Sequence, residues 1–189
     1  MGWQIASLKY WPEKLTGRER AGNIIMRWII DGNNLLHRIA PLQQMLARDA
    51  EQARQNLLSM LAGILGIAGV DEIVLVFDGR GDRVGRLNPL PGLTVLYSSD
   101  KLSADAVIER LVSSADEPSR WRVVTSDRME RETAHAAGAE TMGCGDFIDW
   151  MEQQQRNLQG SLAQRRRREV PPTLGDLFPK GYGGNKQRS

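Results

Sequence analysis

The sequence predicts an α/β fold: a doubly wound, mainly parallel sheet of about five strands with helices on both faces. Short apolar runs alternate with segments of helical periodicity between residues 26 and 151. In addition, acidic residues follow three predicted strands, with Asp31 after MRWII, Asp78 after EIVLVF and Asp127 after WRVVTS. Because parallel strands end at one edge of a sheet, these carboxylates are expected to lie at the edge where open α/β folds bind ligands.

The first half of the pattern begins with MRWII, a short buried strand starting at Met26. A Gly-Asn-Asn turn follows, then an apolar helix interrupted at Pro41. Residues 50–67 carry apolar side chains at helical spacing and predict a helix that packs on the core. EIVLVF is a nearly continuous apolar run, as expected of a central parallel strand. The segment GRGDRVGRLNPLPG is rich in Gly and Arg and predicts a loop without regular structure.

The second half of the pattern repeats the alternation of strand and helix. LTVLYS predicts the third strand, and a helix then starts near Ser103 with Val107, Ile108, Leu111 and Val112 towards the core. WRVVT is the fourth strand, residues 128–137 form a helix, AETMG is a fifth strand, and DFIDWMEQQQ is the last helix of the body.

Composition divides the chain into three parts: residues 1–25 as an extension outside the core, 26–158 as the domain, and 159–189 as a basic, disordered tail. Residues 26–151 hold 13 Lys and Arg against 18 Asp and Glu, whereas residues 152–189 hold 8 against 3. An acidic body therefore carries a tail that attracts phosphate. Cys144 is the single cysteine, which favours a reducing, cytoplasmic location, and no apolar run is long enough for a membrane span.

The acidic residues predict a divalent-metal site. Asp105 begins the helix after the third strand, so it is expected to join Asp31, Asp78 and Asp127 at the same sheet edge. Carboxylates gathered there would repel one another unless a cation lay among them. Magnesium or manganese prefers such oxygen ligands, and one or two ions of this kind can promote hydrolysis of a phosphodiester.

Each acidic residue also has a purely structural interpretation. Asp31 and Asp78 each precede a glycine and could be turn residues. Asp127 and Glu130 have the spacing of a capping box. Asp105 suits a first helical turn, and Glu109, one turn further along, could be a solvated surface residue.

Four sequence blocks together resemble the NYN-domain branch of the PIN-like ribonucleases, and in particular its YacP-like members. The blocks are IIDGNN, VFDG, SADxxIER and VTSDxxE, in that order over about residues 26–151. The resemblance implies a PIN-like fold and metal-dependent RNA hydrolysis. It places the acidic positions of the family at Asp31, Asp78, Asp105 and Asp127, and accompanying polar positions at Asn34 and Glu109. The chain departs from the family pattern at Leu102, where Glu is common, and at Asn33, where Tyr is usual.

Arginines indicate where RNA would be contacted. Arg80, Arg83 and Arg86 lie in the predicted loop beside the cleft, and Arg165, Arg166, Arg167 and Arg168 lie in the tail, where a contact with RNA or the ribosome is expected. A solvated loop and a solubilising tail are the alternatives. The function predicted is an endoribonuclease. The competing hypotheses are a non-catalytic RNA-binding or ribosome-associated protein of the same fold, in which Leu102 weakens metal binding, and a phosphatase with a narrow pocket.

Overall fold

A six-stranded sheet in the order β3-β4-β2-β1-β5-β6 forms the centre of the body. It is seen in a computed structural model that describes residues 26–67, 69–79 and 84–168. The strands are β1 (Met26–Asp31), β2 (Val70–Phe77), β3 (Gly85–Leu90), β4 (Leu93–Tyr97), β5 (Trp121–Val124) and β6 (Glu140–Met142). All neighbouring pairs are parallel except β3 and β4. The predicted doubly wound, mainly parallel α/β fold is confirmed.

Helices cover both faces of this sheet. They are α1 (Gly32–Arg38), α2 (Ala40–Leu46), α3 (Ala50–Ala62), α4 (Ala104–Ser113), α5 (Arg128–Ala136) and α6 (Cys144–Arg168), with a 3₁₀ turn at Pro118–Arg120. One core cluster joins the sheet to α1, α2, α3 and the start of α6, and the other joins it to α4 and α5. Among the described residues, no helix is long and apolar enough to cross a membrane.

The central strands are apolar on both faces because each face is covered. In β2, Ile73, Leu75 and Phe77 belong to one core cluster, whereas Val74 and Val76 belong to the other. This alternation accounts for the continuous apolar run in the sequence. β1 lies between β2 and β5, so the strand ends that precede Asp31, Asp78 and Asp127 are neighbours.

The segment predicted to be an irregular loop contains a strand, and the prediction was wrong for β3. This strand pairs antiparallel with β4 at the edge of the sheet, and the register shifts near Pro89. An edge strand tolerates proline because its outer backbone groups have no partner strand. Both faces of β3 are largely exposed, so its sequence carries no apolar alternation.

The two Asp-Gly pairs are not explained by turns of positive φ. Gly32 opens α1 directly after β1, and a Cβ atom at this position would lie 2.3 Å from the Phe77 ring. A Cβ atom on Gly79 would lie 2.1 Å from the carbonyl oxygen of Ser98. Glycine is therefore required at both positions because the neighbouring groups approach too closely for a side chain.

The chain divides into two units, residues 1–151 and 152–189. Within the second unit, α6 continues as a helix to Arg168, whereas the sequence predicted disorder from residue 159. Residues 152–168 contain no proline and are rich in Gln, Leu, Ala and Arg, which are favourable in helices. The predicted extension, residues 1–25, and residues 169–189 of the tail lie outside the described part of the chain.

Candidate metal centre

Asp31 lies at the junction of β1 and α1 and is almost fully buried, with 2% of its surface exposed. It is the N-cap of α1: its Oδ1 atom accepts a hydrogen bond from the Asn34 backbone N–H at 3.0 Å. The side-chain amide of Asn34 donates to the other carboxylate oxygen. Burial raises the pKa of Asp31, the Asn34 hydrogen bonds oppose this rise, and the nearby Asp105 adds to it. Asn34 therefore orients the carboxylate of Asp31.

Glu130 lies on the buried face of α5, with 8% of its surface exposed. Neither of its carboxylate oxygens has a hydrogen-bond partner among the described residues. The Thr125 hydroxyl is near enough to lower the pKa of Glu130, but it does not form a hydrogen bond of ordinary geometry. Burial, followed by the charges of Asp31, Asp105 and Asp127, raises this pKa to about 8. Burying an ionised carboxylate without a partner is costly, so Glu130 is a candidate ligand for a cation.

Asp105 completes the group from the second position of α4 and is exposed. Its pKa is raised by partial burial and then by the charges of Asp127 and Asp78. The closest carboxylate oxygens of Asp31, Asp105 and Glu130 all lie within 4.8 Å of one another. Three carboxylates from β1, α4 and α5 thus converge on one point at the carboxyl edge of the sheet.

Asp31, Asp105 and Glu130 are arranged so that they could hold a metal ion. All three ligand atoms are hard oxygens, which favour magnesium, manganese or calcium over softer metals. A bound cation would give the unpartnered Glu130 carboxylate a partner and would relieve the mutual repulsion of the three carboxylates.

Asp127 lies outside this group and has a structural role. It is the N-cap of α5, and its Oδ1 atom accepts hydrogen bonds from the backbone N–H groups of Met129 at 2.7 Å and Glu130 at 3.2 Å. The predicted capping box is only half formed, because the backbone N–H of Asp127 donates to Thr125 and not to the Glu130 side chain. The Glu130 carboxylate is thus left available for the centre.

Asp78 also lies outside the group of three and is surrounded by donors. Its Oδ2 atom accepts a hydrogen bond from the Asn33 side chain at 2.6 Å. Its Oδ1 atom accepts one from the Ala104 backbone N–H at 3.1 Å, and the Ser98 hydroxyl lies 3.5 Å from the same atom. The charge of Asp78 nevertheless reaches the centre, since it raises the pKa of Asp105.

The remaining predicted residues are not brought into the centre by the described structure. Glu109 is exposed on α4 and does not belong to the group of three. Arg86 is exposed on β3, where its Nε atom donates to Asn88 at 3.3 Å. Arg80 and Arg83 lie outside the described residues, and only the helical backbone is described for Arg165, Arg166, Arg167 and Arg168.

Glu130 is the residue of the centre that the sequence analysis assigned to a cap. A signal for it was present in the sequence: Glu130 is the last residue of the VTSDxxE block, and it lies four residues before Ala134, on the same helical face. A glutamate on the same helical face as a core alanine is a candidate for a buried site residue.

Comparison with known proteins identifies the family of this chain. The model of the YacP-like NYN domain matches residues 28–177, a stretch that contains all three carboxylates. The chain belongs to this family. Two crystal structures of Rae1 (YacP) from Bacillus subtilis, one of them of a mutant form, are similar to this chain, each with 21% sequence identity. The mutant form has a TM-score of 0.63 over 82% of this chain and 93% of its own, and the other has 0.59 over 76% and 83%.

At this identity the likeness to the two crystal structures shows the fold alone. The predicted resemblance to YacP-like members of the NYN branch is confirmed by the family match. Comparison with curated proteins found no match.

Proposed function

We propose that this YacP-like NYN domain is a divalent-metal-dependent endoribonuclease that hydrolyses RNA phosphodiesters. One observation carries the proposal: the oxygens of Asp31, Asp105 and Glu130 lie within 4.8 Å of one another, and the buried Glu130 has no hydrogen-bond partner among the described residues. The NYN family and the acidic cluster are both consistent with ribonuclease activity.

The ion would be Mg²⁺ or Mn²⁺, held by Asp31, Asp105 and Glu130. Such an ion would lower the pKa of a bound water and would stabilise negative charge on the phosphodiester. Asn34 keeps Asp31 in the orientation that faces the other two carboxylates. In the metal-free protein, burial and the neighbouring charges raise the pKa of Glu130 to about 8, so a cation held there would have to displace a proton. Asp78 and Asp127 add negative charge around Asp105.

RNA as the substrate rests on the family and on the distribution of charge. The acidic body would hold the cation, while Arg165, Arg166, Arg167 and Arg168 in the basic segment would attract the RNA backbone. Arg86, together with Arg80 and Arg83, would contact phosphates beside the cleft. Glu109 as an auxiliary residue, contact with the ribosome and a cytoplasmic location remain predictions from the sequence.

The test is RNA cleavage by the full chain across a titration of Mg²⁺ and of Mn²⁺. Asp31→Asn and Glu130→Gln keep the side-chain volume but remove a charge, so each should lower the cleavage rate by orders of magnitude while the protein stays folded. Glu132→Gln is the matched control, since Glu132 is an exposed residue of the same helix that pairs with Arg128. Unchanged cleavage in both variants would contradict the proposed centre.

The competing hypothesis is a non-catalytic RNA-binding protein, because Leu102 replaces an acid common in the family. In the structure Leu102 is partly buried against the second core cluster, and the three-carboxylate group forms without an acid at that position. A wild-type protein that binds RNA but cleaves none with either ion would favour this hypothesis.

A further inference from the structure

We propose that Asn33 and Asp78 form a clasp that sets the separation of Asp31 and Asp105, and that Asp78 positions the centre without ligating the metal directly. This inference rests on the proposed function in that it concerns the same carboxylate centre. It assigns Asn33 a role that neither the sequence pattern nor the family match assigns to it.

The first part of the clasp is the opening turn of α1. Asn33 and Asn34 are consecutive residues, yet their side chains hold different strand ends. Asn34 donates to Asp31 at the end of β1, and Asn33 donates to Asp78, which follows β2, at 2.6 Å. A single helical turn thus orients both carboxylates, so a displacement of Asp78 relative to Asp31 would break one of the two hydrogen bonds.

The second part is the N-terminus of α4. The first backbone N–H groups of a helix lack intrahelical partners. Ser103 satisfies the N–H of Ala106, and Asp78 satisfies that of Ala104 at 3.1 Å. Ala104 immediately precedes Asp105. The chain of contacts Asn33–Asp78–Ala104 therefore connects the helix that Asp31 caps to the helix that carries Asp105.

The environment of Asp78 favours this role over direct ligation. Its oxygens lie outside the group of ligand atoms that are within 4.8 Å of one another, and they accept hydrogen bonds from Asn33 and Ala104, with the Ser98 hydroxyl close by. Ser98 is itself held, because its hydroxyl accepts a hydrogen bond from the Gly79 N–H at 3.0 Å. Glu130 offers the contrast, since its oxygens have no partner among the described residues and it belongs to the group of three. Residues that orient metal ligands through hydrogen bonds commonly change metal affinity by about 10- to 100-fold when replaced.

The experiment measures Mn²⁺ affinity of the full chain by calorimetry without RNA, together with metal-free thermal melts. Asn33→Ala should weaken Mn²⁺ binding about tenfold with little change in melting temperature, because the lost hydrogen bond is exposed. Asp78→Asn keeps an acceptor oxygen, so it should weaken binding by no more than about tenfold. Asp105→Asn removes a ligand and should weaken binding at least about a hundredfold. Asn157→Ala, an exposed asparagine of α6, is the matched control and should bind as wild type does.

A double-mutant comparison separates a clasp from two independent effects. If Asn33 acts through Asp78, the double variant Asn33→Ala/Asp78→Ala should bind Mn²⁺ as weakly as Asp78→Ala alone. If the loss of Mn²⁺ affinity in the double variant equals the product of the losses in the two single variants, the proposal is overturned. Wild-type Mn²⁺ affinity in Asn33→Ala would also overturn it. A loss in Asp78→Asn as large as that in Asp105→Asn would identify Asp78 as a ligand instead. A wild-type protein that binds no Mn²⁺ would overturn both proposals, whereas one that shows the expected binding pattern but cleaves no RNA would contradict the nuclease function alone.

Discussion

The burial of Glu130 disfavours the ionised form of its carboxyl group. Glu130 is 8% exposed, lacks hydrogen-bond partners in the described structure, and lies near three other acidic residues. Burying an unpaired carboxylate costs free energy, and the protein lowers that cost by retaining a proton. Strongly shifted pKa values are concentrated at functional sites, which agrees with the place of Glu130 in the candidate centre.

This shift predicts that the metal-free protein becomes less stable as pH rises. The pKa of Glu130 rises from 4.5 to about 8 on folding, so its contribution to stability is complete below 4.5 and is lost as pH rises through about 8. Urea unfolding in chelator between pH 5 and 8.5 should show a decrease on the order of a few kcal/mol, at most about 1.4 kcal/mol per pH unit from this group.

Two variants isolate the contribution of Glu130 to that slope. Glu130→Gln cannot ionise and should flatten the decrease, while the exposed Glu132→Gln should leave it as in the wild type. The raised pKa values of Asp31 and Asp105 act in the same direction at lower pH, so a smaller slope should persist. An equally steep decrease in Glu130→Gln would mean that Glu130 is already ionised in the folded protein near neutral pH.

Helix α5 can contribute a carboxylate to the centre because one acidic residue caps the helix and another lies on its buried face. Asp127 caps the first turn, and Glu130 is left to point into the core side of the helix. Asp127→Ala should therefore lower the free energy of unfolding by about 1 kcal/mol, whereas Asp127→Asn should lower it by less because Asn is also a good N-cap. Chemical denaturation of the two variants at pH 6 checks this difference. If the two variants lose the same free energy of unfolding, Asp127 stabilises the protein through its charge and not through its capping hydrogen bonds.

The strands most easily predicted from the sequence are those that carry a local run of apolar residues. β1, β2, β4 and β5 are apolar because sheet neighbours and helices cover them. β3 was missed because both of its faces are largely exposed and its existence depends on pairing with β4. The end of α6 was missed for a related reason: residues 152–168 have helix-forming composition but little apolar periodicity.

The distribution of charge over the chain makes a prediction about RNA binding. Residues 26–151 carry 13 basic and 18 acidic side chains, and residues 152–189 carry 8 and 3. Replacing Arg165, Arg166, Arg167 and Arg168 with Ala should weaken RNA binding. The slope of log affinity against log salt should flatten by up to roughly 3, since each phosphate contact contributes about 0.7 for single strands. Binding measured at several salt concentrations tests this, and the Mn²⁺ affinity of the same variant should not change. An unaltered salt slope would assign these arginines a role other than binding RNA.

The sequence by itself determined the class of fold, the order of the main strands and the edge at which acidic residues collect, because apolar periodicity and strand-end positions are local properties. Only the tertiary structure decided which carboxylates meet. Asp31, Asp105 and Glu130 are far apart in sequence, and their convergence depends on how α4 packs on β1 and how α5 packs on α4 and β5. Asp78 and Asp127 share the same strand-end pattern, but hydrogen bonds to α4 and α5 engage them as caps. Spacing along the chain specifies where a residue leaves the sheet, whereas helix phase, burial and competing hydrogen bonds specify where its oxygens lie.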